Sequence, residues 1–222
     1  MTKRLGLRRG ASLAKGFHTK ASLARVAYEL LGRNGFHGTG LNELIAASGA
    51  PRGSLYYHFP GGKAEIVAAG LEIARAQTAT LLRHAFAGER PLQEKVVALF
   101  GQLASSMNAD LSSYGCPVAA VALDNFGGDD AIRTQCESIY ATWRNTIESC
   151  LLETRPARRA VMAVMAEMAE MILMTYEGAL VSARVTRNPS VLAEAGSSLA
   201  NILCSLGNRH EILPGQIPST PR

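Results

Sequence analysis

The chain is short of everything that would make it a membrane, metal or disulfide protein. Over its 222 residues no stretch approaches 18 uncharged apolar residues, so no membrane-spanning helix is expected. The basic amino terminus lacks an apolar core segment of useful length, so no signal peptide is expected and a cytoplasmic location follows. Only four cysteines occur: Cys116, Cys136, Cys150 and Cys204. They form no C-x-x-C pair and no Cys/His cluster, which excludes a zinc signature and a disulfide framework and leaves reduced thiols. Cys116, set between Gly115 and Pro117, leaves a redox sensor as a second reading. Glu167 and Glu170 form an E-x-x-E spacing with no nearby His, which does not match the usual di-iron pattern. There is no phosphate loop, no nucleophile elbow and no acid–base pair at a meaningful spacing. Neither an enzyme nor a metal or cofactor is therefore expected. No segment alternates with period two, and aromatics make up only 6% of the residues.

What is present is helix-forming. The 47% of apolar residues are supplied mainly by Ala, Leu, Val and Met. The expected fold class is all-α, with helices near 19–34, 41–47, 51–57, 63–84, 92–109, 117–124, 130–153, 158–186 and 190–206. In the first, Leu23, Val26, Ala27, Leu30 and Leu31 form one apolar stripe, with Thr19 as N-cap and Gly35 as a left-handed stop. Residues 1–17 read as a flexible basic arm and residues 208–222, with three prolines, as a loose tail.

Charge divides the chain. Residues 1–63 hold ten Lys/Arg against two acids, Glu29 and Glu43, for a net of +8. The remainder holds thirteen against sixteen, for a net of −3. A basic first part is either a solvated face or the footprint of a polyanion binder.

The segment Leu41–Phe59, LNELIAASGAPRGSLYYHF, decides between these. A short amphipathic helix with Leu41, Leu44 and Ile45 ends at Gly49, and Pro51 opens a second helix of about two turns. Small residues at Ala46, Ala47 and Gly49 let two helices cross closely, as in a helix-turn-helix whose second helix enters the major groove. Leu55 and Phe59 are spaced to pack inward. That leaves Arg52, Gly53, Ser54, Tyr56, Tyr57 and His58 outward or sideways. Arg52 suits guanine or phosphate, the hydroxyls suit phosphate oxygens, and a Tyr ring can touch a thymine methyl. Lys63 begins the next helix, where free N–H groups favour an anion.

This segment resembles the tetracycline-repressor (TetR) family. The shared residues are Gly35-Phe36, Thr39, Leu44-Ile45-Ala46, Gly49, the run from Gly53 to Phe59, and Lys63. The stretch Phe59-Pro60-Gly61-Gly62-Lys63, Gly115-Cys116-Pro117 and the run from Tyr176 to Val185 are similar to the LmrA/YxaF-type subgroup. The resemblance implies DNA contacts at Thr39, Ser54, Tyr56, Tyr57, His58 and Lys63. Gly40 departs from the family's Ser or Thr, which with Glu43 would complete a capping box.

The resemblance further implies a three-helix DNA-binding domain over 18–62 and a ligand-binding and dimerisation domain over 63–207. The expected function is a homodimeric repressor on a palindromic operator, released by a small-molecule inducer of apolar or aromatic character. A DNA-binding activator, or a helical ligand-binding protein or enzyme without DNA function, stands as the alternative. Candidate ligand-contacting residues are Phe100, Met107, Phe126, Tyr140, Trp143, Met165, Met168 and Tyr176. For the methionines, plain core filling is the competing reading. On helix 158–186, Val161, Met165, Met168, Ile172, Thr175 and Ala179 form the core stripe, widened by Met162, Met171 and Met174. The last two helices are expected to form the homodimer, with Gly178, Ser182, Gly196 and Ala200 allowing close approach.

Overall fold

The computed structural model describes residues 7–109, 115–125, 127–153 and 159–211. Among these the chain forms nine α-helices and no strand: α1 (Leu7–Gly38), α2 (Leu41–Ser48), α3 (Arg52–His58), α4 (Lys63–Phe86), α5 (Leu92–Ala109), α6 (Pro117–Asp124), α7 (Asp130–Leu152), α8 (Arg159–Thr186) and α9 (Ser190–Glu211). Two expected ends are corrected. The backbone is already helical from Leu7, so α1 takes in most of the expected arm, and α9 runs past 207 to Glu211. The arm's residues 1–6 and the tail's 212–222 lie outside the described residues.

Two compact units emerge, one from residues 1–80 with 112–143 and the other from 81–111 with 144–222. Residues 62–63, where the sequence suggests a boundary, lie inside the first of these.

In the first unit, Leu23, Ala27 and Leu30 of α1 are buried with Leu44 of α2, Ala50, Leu55 of α3, Phe59 and Ile66 of α4. α1 also packs on α6, which buries Pro117, Val118 and Val121. A Cβ at Gly32 would meet the Gly115 carbonyl oxygen at 3.3 Å, so the two elements meet closely there. At Gly35 the α1 backbone leaves helical geometry (φ 70°, ψ −165°), a conformation that disfavours L side chains. The His37 amide then donates to the Asp124 carboxylate at the end of α6. α4 is tied to α7 through polar contacts. Gln135 Nε2 donates to the Ala68 carbonyl at 3.0 Å and to Glu72 at 2.7 Å. Trp143 Nε1 donates to the Arg75 carbonyl at 3.1 Å.

In the second unit α9 packs against α5 and α8. Leu192, Gly196, Leu199, Ala200 and Leu203 form its buried face. Gly196 and Ala200 are therefore part of this unit's own core, not of an outer face as expected. A Cβ at Gly196 would lie 2.5 Å from the Phe100 Cβ, so glycine is what lets α5 and α9 touch. On α8, Met165, Met168, Ile172 and Ala179 are buried as expected, but Met162 and Met174 are exposed and do not widen that stripe. None of the four cysteines forms a disulfide. Cys116 N-caps α6, its Sγ accepting from the Ala119 amide at 3.5 Å. Burial pushes the Cys136 thiol up to about 11.

Gly196→Ala should destabilise the fold by about 1–3 kcal/mol, because the clash outweighs the better helix propensity of Ala. Thermal denaturation is expected to show a drop of several degrees.

Candidate nucleic-acid interface

The site is built on a helix too short to stand alone. α3 has seven residues, and isolated helices of that length are unstable in water. Its conformation comes from its inner face, where Leu55 and the following Phe59 are buried against α1, α2 and α4. Gly49 closes α2 in the left-handed region (φ 65°, ψ 12°), and Pro51, in extended geometry, caps α3. The Ser48 hydroxyl accepts from the Ala50 amide at 3.3 Å inside the turn. The expected α2–turn–α3 unit is thus present, with the expected residues turned inward.

The opposite face of α3 is bare. Arg52 and Gly53 are exposed, Tyr56 is 52% and Tyr57 82% exposed, and Ser54 and His58 are half-buried. Two large aromatic side chains in water on one short helix form a surface that a partner would cover. Tyr57 stacks edge-on against His58, with centroids 4.9 Å apart. Arg52 Nη2 donates to the Asn42 Oδ1 of α2 at 3.2 Å. Nothing lies within 4 Å of where a Cβ on Gly53 would stand.

Two expected contact residues are placed otherwise. Thr39 is fully buried, and its hydroxyl donates to the Gly35 carbonyl at 2.8 Å. It thereby occupies an acceptor that the break at Gly35 frees, and it closes the α1–α2 corner. Lys63 is half-buried. Its ammonium stands 4.8 Å above the Phe36 ring and donates to the His37 carbonyl at 3.4 Å, so it fastens α4 to the end of α1. Ahead of α4, the Gly61 amide already donates to Glu65 at 2.9 Å, so a carboxylate of the chain itself serves there. Sequence reasoning missed Asn42, Lys20 and Glu65. Lys20 lies 5.3 Å from the Phe59 ring centroid. Only Glu65, three residues past Gly62, carried a spacing signal.

Gly40 is the N-cap of α2 with no side-chain cap, and there is open space where its Cβ would be. Glu43, the would-be partner of a capping box, instead accepts from Asn34 at 3.3 Å.

The candidate ligand residues fall into both units. Phe100, Met107, Met165, Met168 and Tyr176 are buried in the second. In the first, Trp143 is buried and Tyr140 half-buried, their rings edge-on at 5.6 Å. Phe126 lies outside the described residues. Glu170 pairs with Arg144 at 3.8 Å.

Comparison with known proteins matches residues 23–69 to a family described as bacterial regulatory proteins, tetR family. Residues 93–198 match the C-terminal domain described as transcriptional regulator LmrA/YxaF-like. The HTH-type transcriptional regulator LmrA of Bacillus subtilis is 25% identical over 185 residues, covering 83% of this chain and 96% of that protein. The uncharacterized HTH-type transcriptional regulator YxaF of the same organism is 28% identical over 145 residues, covering 65% and 72%. In fold, the chain is similar to a TetR transcriptional regulator from Chloroflexus aurantiacus, with TM-score 0.70 and 23% identity over 86% of this chain and 96% of that one. It is also similar to regulatory protein TetR from Rhodobacter sphaeroides, with TM-score 0.70 and 22% identity over 82% and 96%.

Thr39→Val should cost about 1–2 kcal/mol of stability by leaving the Gly35 carbonyl unsatisfied. Urea denaturation is expected to show an earlier midpoint with an unchanged slope.

Proposed function

The chain belongs to the tetR family of bacterial transcriptional regulators, with an LmrA/YxaF-like C-terminal domain, and from that premise we propose that it is a homodimeric repressor of a palindromic operator, released by a small-molecule inducer. The observation that carries this reading is the outer face of α3. Arg52, Gly53, Tyr56 and Tyr57 are exposed on a helix whose inner face is wholly buried. Arg52 and the tyrosine hydroxyls offer hydrogen bonds to phosphates and base edges, and Gly53 lets the backbone approach closely. Ser54 and His58, half-buried beside them, complete the proposed contact set.

The homodimer reading is supported by α8. Met174, Gly178, Val181 and Val185 recur at helical spacing, and the three apolar side chains are 64%, 51% and 78% exposed. Gly178 has nothing within 4 Å of its would-be Cβ, which suits close approach of a second copy. Ile202 of α9 is also exposed. A two-fold pair would carry two recognition helices to successive major grooves, about 34–36 Å apart.

The proposed inducer is apolar or aromatic, as the buried Phe100, Met107, Met165 and Met168 suggest. Residues 18–62 act as the DNA-binding part and 63–207 as the ligand-binding and dimerising part, in the cytoplasm. Release requires the inducer to bind the DNA-incompetent state better than the competent one, so DNA must weaken inducer binding by the same factor.

A duplex selected from a random library should be palindromic and bound with a steep salt dependence. Gly53→Ala should leave thermal stability equal or higher, Ala being favoured in helices by about 1 kcal/mol, while weakening binding to that duplex about tenfold or more. Unchanged binding would remove α3 from the DNA. Val181→Glu should convert the dimer to a monomer in sedimentation and weaken operator binding by losing the second half-site. A variant that stays dimeric would place the two-fold elsewhere.

A further inference from the structure

The contact between Arg52 and Asn42 leaves spare donors at the start of α3. Both side chains are exposed, on different helices of the helix-turn-helix, and Arg52 Nη2 donates to Asn42 Oδ1 at 3.2 Å. A guanidinium has five donors, so one bond to Asn42 leaves an edge of the fork free. Asn42 gives one lone pair of its oxygen to Arg52 and keeps its amide N–H groups. The acids on α2 and α3 are reduced to Glu43, and Glu43 is already engaged by Asn34.

We infer that Arg52 reads one guanine in each half-site and that Asn42 is its positioning residue, so that the pair together sets specificity at that base pair. This rests on the DNA-binding reading above and adds to it which base is read and how. A free guanidinium edge matches the two major-groove acceptors of guanine, O6 and N7, and meets a donor in place of O6 on adenine. A long, flexible Arg discriminates poorly if it can swing to a neighbouring phosphate. Asn42 removes that freedom by holding one nitrogen of the fork. The edge that remains has a fixed direction, set by α2.

The test is competition binding by the full-length protein, using the selected duplex and its single-base variants at two salt concentrations. The unaltered protein should prefer guanine at one position per half-site by roughly tenfold or more. Arg52→Ala should abolish that preference, and Arg52→Lys should not restore it, because an ammonium has no planar fork. Asn42→Ala should relax the preference several-fold while the salt slope stays the same or steepens by about one phosphate's worth, since no phosphate contact is lost and the released Arg52 can gain one. Asn42→Asp, which keeps the accepting oxygen, should retain the preference. Equal loss by Asn42→Ala on every sequence, or a guanine preference untouched by Arg52→Ala, would overturn the inference while leaving the helix-turn-helix reading intact. If the unaltered protein selects no sequence, both fall together.

Discussion

The proposed DNA-contact face depends on burying Leu55 and Phe59. A helix of seven residues gains too little from its own hydrogen bonds to persist, so the placement of α3 is a packing result. Leu23, Ala27 and Leu30 on α1, Leu44 on α2 and Ile66 on α4 supply the surface it packs on. With the apolar residues turned inward at i and i+4, the tyrosines at 56 and 57 have no position left but the outside. The exposed chemistry is thus a consequence of the core. Changing the core would change which side chains face outward before it changed any of them.

A second layer of contacts holds the corner where α1 ends. Gly35 breaks the helix, Thr39 takes up its carbonyl, Asp124 takes the His37 amide, and Lys63 takes the His37 carbonyl while resting on Phe36. Three separate stretches of chain converge there. The positions resemble DNA contacts in sequence, but Thr39 and Lys63 are occupied with the protein's own backbone. A side chain that fastens the end of a helix controls the direction of the next one, so these residues influence the interface through geometry.

Much of this was legible in the sequence, and the reasons differ by element. The helices are marked by 3.6-residue periodicity and by glycines at their ends, Gly49 being the clearest. The inward turn of Leu55 and Phe59 follows from spacing alone. What could not be read depends on partners distant in the chain. Thr39 has the same identity whether its hydroxyl faces a phosphate or a carbonyl four residues back. Lys63 is committed by Phe36 and His37, which no local pattern connects to it. On α8 the methionines fill both faces, so composition cannot say that Met165 and Met168 are inside while Met162 and Met174 are outside. Gly196 gave the signal of close approach correctly, but its neighbour proved to be Phe100 of the same unit.

The two units are discontinuous in sequence, and this bears on how the chain is made. The first unit draws on residues 1–80 and again on 112–143. During synthesis the helix-turn-helix leaves the ribosome early, yet the face of α1 that α6 covers stays bare until Pro117, Val118 and Val121 have followed. The residues in between, 81–111, belong to a unit whose other half comes later still. The nascent chain therefore carries unfinished apolar surface on both units at once, a condition that favours chaperone capture and premature association.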